Sequence, residues 1–213
     1  RRLAAAGVAL GLGSRSGDDL GIAGAVTLPT DVRDPAAVDA LVAAVVEEHG
    51  RLDIVVANAG VGAYGPFLEL DPEQLELMID VNLKGVLYTA RAALPHLIAA
   101  GGGGDFVSLA SVAGLNAFPG EAVYNASKFG QVGFVRALDI ELREHGVRCS
   151  SICPGGVATD FAIGTGRTAG MPELDGMMSP DDVAEVVLFA LTRPRGMRLL
   201  TTTFRPMSEG SWG

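Results

Sequence analysis

Tyr124 and Lys128 stand four residues apart in VYNASKFG, Val123 to Gly130, with Ser127 beside the lysine. On a helix, positions i and i+4 share a face, so a phenol and an ammonium can address one small volume. A phenol, with an ordinary pKa near ~10, gives and takes protons more readily when a nearby positive charge favours its ionised form. The competing reading is a polar stripe on a solvated helix. What else faces the same volume decides between them.

The elements that must position the pair alternate along the chain. DPAAVDALVAAVVEEHG has Asp34 as N-cap, Pro35 at the first helical position and Gly50 past the end, with apolar residues at helical spacing between. LDIVVANAG is a short continuous apolar run, the pattern of a strand covered on both faces. DPEQLELMIDVNLKGVLYTARAALPHLIAA starts on another Asp-Pro and reads as a long helical segment, with interruptions expected near Asn82 and at Pro95. DFVSLAS, VRCSSICPGG and RLLTTTF read as strands; EAVYNASKFGQVGFVRALDIELREHG and SPDDVAEVVLFALTR read as helices. Strand-then-helix order predicts an α/β fold: a doubly wound, Rossmann-type parallel sheet in three αβα layers, forming a single domain over 1–213.

In such sheets, ligands bind beyond the carboxyl ends of the strands. Polar and small residues collect at those ends: Ser14 and Arg15, Asp31, Asn58 to Gly60, Ser111, and Pro154 to Thr159. Unrelated surface residues have no reason to fall this way.

Composition excludes several classes. The net charge of −9, with Lys and Arg scattered, argues against a nucleic-acid surface, which needs clustered cations. The apolar runs are too interrupted to span a bilayer, and a soluble, cytoplasmic protein is expected. Cys149 and Cys153 fall on one face of a strand roughly 13 Å apart, at about 3.3 Å per residue, which is too far for a disulfide. Both read as core residues. His49 and His145 each precede a glycine at a helix end, where a cation meets the negative end of the helix dipole, so no metal site is expected.

ANAG, VNLKG, Ser111, YNASK and PGGVATD, in this order and at these strand ends, resemble the classical short-chain dehydrogenases/reductases from Arg1 through the last strand. The resemblance implies an oxidoreductase that moves a hydride between a nicotinamide cofactor and a carbonyl or secondary alcohol. Tyr124 would protonate the alkoxide as it forms, with the Lys128 ammonium lowering its pKa. Ser111 would hydrogen-bond the substrate oxygen, and Lys128 would also hold the ribose hydroxyls. Asn82 resembles the asparagine that helps hold a relay water near the lysine. Asn58, Ala59 and Gly60 would let the cofactor approach the backbone, although Ala57 stands where the family often has a further asparagine. Pro154, Gly155, Val157 and Thr159 would meet the nicotinamide end. Asp31, followed by Val32, resembles the adenine-contacting aspartate. Ser14 stands where an acidic residue would take the ribose of NAD, and Arg15 can pair with a 2′-phosphate, so NADP(H) is expected over NAD(H). Ser127 reads as helix packing.

The remaining expectations concern the edges of the fold. Gly- and Met-rich 161–179 suits a substrate lid or an ordinary surface loop. The family's glycine-rich phosphate turn is absent: GLGSRSG follows a strand and opens no helix, and RRLAAAG reads as the tail of a first helix stopped by Gly7. An upstream segment of about 15 to 25 residues, carrying the central strand and that turn, is therefore expected. The family also implies a homodimer or homotetramer packed through the helices of Leu75–Ala100 and Ala122–Glu144. The alternatives are a catalytically silent dinucleotide-binding sensor or assembly protein, and a relative with epimerase or dehydratase chemistry.

Overall fold

The computed structural model describes residues 1–210, so the last three positions of the domain expected over 1–213 lie outside the described residues. Six strands run parallel: β1 (Gly11–Ser14), β2 (Val26–Pro29), β3 (Ile54–Ala57), β4 (Asp105–Leu109), β5 (Arg148–Pro154) and β6 (Thr201–Phe204). They form two sheets among the described residues, β1-β2 and β3-β4-β5-β6, where the sequence predicts one. A short helix, α1 (Arg2–Ala5), precedes β1, and the longer helices join the two parts. Helix α2 (Pro35–His49) packs on β1 and β2 and also against α4 (Gly85–Ala99), which lies on β3 and β4. A parallel sheet with flanking helices is the αβα fold that the alternation of elements predicts.

β4 is buried along its whole length, and its alternating side chains serve two cores. Phe106 packs with Val86 and Ala90 of α4 and with Val135 and Leu138 of α5 (Ala122–Leu142); Val107 and Leu109 pack with Val187 and Ala190 of α6 (Pro180–Leu191). Cys149 of β5 joins the α5 side, Cys153 packs with Val132 of the same helix, and both are free, buried thiols. The helix ends follow the sequence. Asp34 accepts from Ala36 N at 2.9 Å, Pro35 opens α2, and Gly50 closes it with φ of 73°.

The long segment behaves differently from its two expected interruptions. After α3 (Pro72–Met78) the chain widens into one π-helical stretch, Ile79–Lys84, and then continues as α4 straight through Pro95. Only the break at Asn82 is present.

At the amino end of the sheet, Arg148 forms a buried fork with Asp105, at 2.7 and 3.1 Å. The same guanidinium donates to the carbonyls of Leu191 and Arg193, both at 3.0 Å, and of Met197 at 3.2 Å, which pins the α6–β6 connection to the sheet. Arg195 also reaches the Asp105 carboxylate, at 2.7 Å, so the group that depends on the pair is the buried Arg148 guanidinium, and leaving its charge without a carboxylate costs about 3–5 kcal/mol. Asp105→Asn is therefore expected to lower the urea midpoint by that equivalent, and unchanged unfolding would show that the fork carries little.

Candidate active site

The carboxyl ends of β3, β4 and β5 open onto one cavity of about 760 Å³. Asn58, Ala59, Gly60, Ser111, Tyr124, Lys128, Pro154, Gly155, Val157 and Thr159 all line it, so ten of the predicted residues converge. Asn82 sits behind the wall. Ser14, Arg15, Asp31 and Val32 lie at the ends of β1 and β2, outside the lining.

Asn82 is wholly buried in the π-helical stretch. Its Oδ1 accepts from Val61 N at 2.8 Å, and its Nδ2 donates to Val61 O at 2.9 Å and to Ser127 Oγ at 3.0 Å. The carboxamide thus fastens the loop after β3 to α5. Gly60 closes over it: a Cβ there would stand 3.4 Å from Asn82 Oδ1 and 3.7 Å from Lys128 Nζ. Ser127, expected to be mere helix packing, is this network's second member, and its hydroxyl donates to Tyr124 O at 2.7 Å. The i+3 spacing from Tyr124 turned it toward Asn82, a partner 45 residues away that local spacing does not reveal.

Ser111 caps a short 3₁₀ turn, Val112–Gly114, with Oγ accepting from Ala113 N at 3.0 Å. That turn lies directly on α5, where Gly114 leaves no room for a side chain: a Cβ would meet Lys128 O at 2.7 Å. Asn125, not singled out by the motif, holds the turn in place. Its Nδ2 donates to Ala113 O at 2.7 Å and Asn116 O at 2.8 Å, and its Oδ1 accepts from Phe118 N at 3.1 Å. An aromatic wall was also missed. Tyr64 meets the Tyr124 ring edge-on at 5.5 Å between centroids, and Phe161 lies 5.8 Å from it. The glycines around Tyr64 in GVGAYGP are the one local sign, since only thin backbone lets the rings close in.

The electrostatics depart from expectation. Burial pushes the Tyr124 phenol up to about 12, although interaction with the Ser111 hydroxyl pulls it part of the way back. Burial also drives the Lys128 pKa down, to about 8, which leaves the group mostly an ammonium at neutral pH. Its Nζ donates to Leu109 O at 3.1 Å and lies 5.6 Å from the Tyr124 ring centroid. Desolvation outweighs the charge-pair effect that four-residue spacing suggests.

A nicotinamide dinucleotide fits these groups. Lys128 has spent one of its three N–H groups, leaving two able to donate beside the Asn58–Gly60 backbone. Farther out, the Asp31 carboxylate grips Arg33 at 2.6 Å and is held down to about 2, first by hydrogen bonds from Arg33 and then by the charges of Arg33 and Arg15. Val32 packs against the backbone of Gly85 at the start of α4.

A short-chain dehydrogenase family model matches residues 5–169. An uncharacterised NAD-dependent oxidoreductase of Mycobacterium tuberculosis is 44% identical over 173 residues, covering 75% of this chain and 63% of the relative. An alcohol dehydrogenase structure from Thermococcus sibiricus, complexed with 5-hydroxy-NADP, superposes with a TM-score of 0.87 at 30% identity, covering 99% of this chain and 91% of that one. A serine dehydrogenase structure with NADP+ superposes at 0.83 and 30% identity, covering 92% and 81%. Parallel sheet, flanking helices and convergent strand ends define a dinucleotide-binding domain. The chain belongs to the short-chain dehydrogenase family. It spans about three-fifths of the length of the curated relatives it matches first.

The buried lysine leaves a signature in stability. Its folded pKa of about 8 lies below the unfolded value of 10.5, so the folded protein binds fewer protons between those limits. Stability from this group therefore rises with pH across that window, by on the order of 3 kcal/mol. Thermal unfolding of wild type minus Lys128→Met should show this rise between pH 8 and 10. Parallel curves would mean that Lys128 is solvated.

Proposed function

We propose that this chain is the catalytic domain of an NADP(H)-linked oxidoreductase that interconverts a carbonyl and an alcohol. The observation that carries the reading is the convergence of the Ser111 hydroxyl, the Tyr124 phenol and the Lys128 ammonium at one cavity. Bound beside Lys128, a nicotinamide would supply or accept the hydride. Ser111 orients the substrate oxygen, and Tyr124 exchanges the proton with it. With a pKa near 12, Tyr124 is protonated at neutral pH, the form that a reduction consumes. Oxidation needs the phenolate and gains from alkali.

Cofactor preference rests on the β1 end. Ser14 offers no carboxylate to a free ribose, and Arg15 is exposed beside Asp31, whose own charge is engaged by Arg33. The 161–179 segment serves as the lid. Phe161 lies on Tyr124, and Thr165 clasps the opposite loop through Thr165 Oγ1 to Gly62 O at 2.6 Å and Tyr64 N to Thr165 O at 2.8 Å. Opening must break both bonds. Self-association through α4 and α5 would cover Phe129 and Ile140, which are 46% and 67% exposed on α5. Among the described residues, no helix is long and apolar enough to cross a membrane.

Tyr124→Phe should reduce turnover of a carbonyl panel by at least about a thousandfold while NADPH affinity changes by less than about threefold. Calorimetry and spectrophotometry on the same preparation test this, and wild-type rates in the folded variant would end the catalytic assignment. Arg15→Ala should weaken NADP binding by about tenfold and leave NAD nearly unaffected, since one charge-assisted phosphate contact is worth about 1.5–3 kcal/mol. Equal losses for both cofactors would remove the phosphate role.

A further inference from the structure

Besides Lys128, four charged side chains line the cavity around Tyr124: Glu121, Arg167, Arg205 and Glu209. Two neutralise each other. Arg205 Nε donates to Glu209 Oε2 at 2.6 Å, and the other Glu209 oxygen accepts from Gly156 N at 2.6 Å. Gly156 is held so closely that a Cβ would stand 2.7 Å from Glu209 Oε1.

The other two are left facing the cavity. The Arg167 side chain makes a single hydrogen bond among the described residues, Nη1 to Val157 O at 3.3 Å. Its guanidinium lies 6.0 Å from the Tyr64 ring and 5.9 Å from Phe161, the two rings that wall Tyr124. Glu121 occupies the N-cap position of α5, three residues before Tyr124, and its side chain makes no cap bond. Among the described residues its carboxylate has neither a hydrogen bond nor an ion-pair partner, and burial raises its pKa. The two charges act on the Tyr124 phenol with opposite sign, Glu121 raising its pKa and Arg167 lowering it. They form no close ion pair with each other, although the Arg167 charge acts on Glu121 against the effect of burial. A half-buried cation and a half-buried anion, each unsatisfied on its cavity side, are best compensated by a ligand that carries both opposite charges.

We propose that the substrate is zwitterionic, a 2-amino-3-hydroxy acid or its 3-oxo counterpart, with Arg167 taking the carboxylate through its fork and Glu121 taking the ammonium. Both charged groups of such a molecule sit on the carbon next to the carbinol. A carbinol oxygen at Ser111 and Tyr124 therefore brings them within reach of the two side chains. In the oxidative direction the carbinol C–H bond breaks, its electron pair and hydrogen pass as hydride to NADP+, and the hydroxyl proton passes to the Tyr124 phenolate. The products are a 2-amino-3-oxo acid and NADPH. This assignment rests on the oxidoreductase reading and adds the substrate class to it.

The test uses five secondary alcohols with NADP+ at pH 8.5: threonine and its allo isomer, 3-hydroxybutanoate, 1-aminopropan-2-ol, and butan-2-ol. Wild type should favour one threonine isomer over butan-2-ol by at least about a hundredfold in kcat/KM. Arg167→Gln should cut that preference by at least about tenfold through KM, for threonine and 3-hydroxybutanoate alike. Glu121→Gln should cut it for threonine and 1-aminopropan-2-ol. Equal use of butan-2-ol by wild type, or preferences untouched by either substitution, would overturn the assignment. Calorimetric binding of the threonines to the NADP+-loaded Tyr124→Phe protein separates the two readings. Binding that needs Arg167 and Glu121, without turnover by wild type, would support the zwitterion site and sink the oxidoreductase reading. Turnover of neutral alcohols without threonine binding would do the reverse.

Discussion

The Asn82 carboxamide satisfies all its contacts on segments that have no sequence adjacency: the loop after β3 through Val61, and α5 through Ser127. A wholly buried amide that loses a partner costs about 1–3 kcal/mol, so these segments are fixed relative to one another. The wider π-helical turn is what aims the side chain sideways out of an otherwise continuous rod, as such bulges often do near functional groups. Because Ser127 in turn donates to Tyr124 O, the height of the phenol above the sheet is set from Ile79–Lys84. Asn125 does the same for the opposite side, holding the turn that presents Ser111. Neither asparagine faces the cavity, yet between them they set the distance across it.

The two ends of the sheet divide the work. At the amino end, the Arg148–Asp105 fork and its carbonyl acceptors close the structure with fully compensated charge. At the carboxyl end, the polar groups are arranged around open space, and several keep unused hydrogen-bonding capacity. Binding sites are expected where a rigid scaffold leaves such capacity exposed. The covered sheet face and the capped helices supply that rigidity.

Much of this was legible in the sequence for reasons that are local. The caps at Asp34 and Pro35, the continuous apolar strands and the gathering of small polar residues at strand ends depend on neighbours within one element. The break at Asn82 was readable because the helical segment was too long to be regular, whereas Pro95 misled because a proline is tolerated where the preceding turn can adjust. What was hidden depends on tertiary contact. Ser127 finds its partner 45 residues away, and the aromatic wall is assembled from Tyr64 and Phe161, from loops after different strands. The sign of the Tyr124 shift followed from the depth at which packing buries it, which residue spacing does not encode.

Cys149 and Cys153 sit on the interior strand β5, and burial pushes their thiols up to about 12 and about 11. The thiolate is the reactive species, so at neutral pH neither sulfur presents a nucleophile to an oxidant or an alkylating agent while the sheet is closed. Chemical labelling of these two positions therefore acts as a stopwatch on the departure of β5 from its neighbours. Oxidative damage to them follows, and does not start, the loss of the fold.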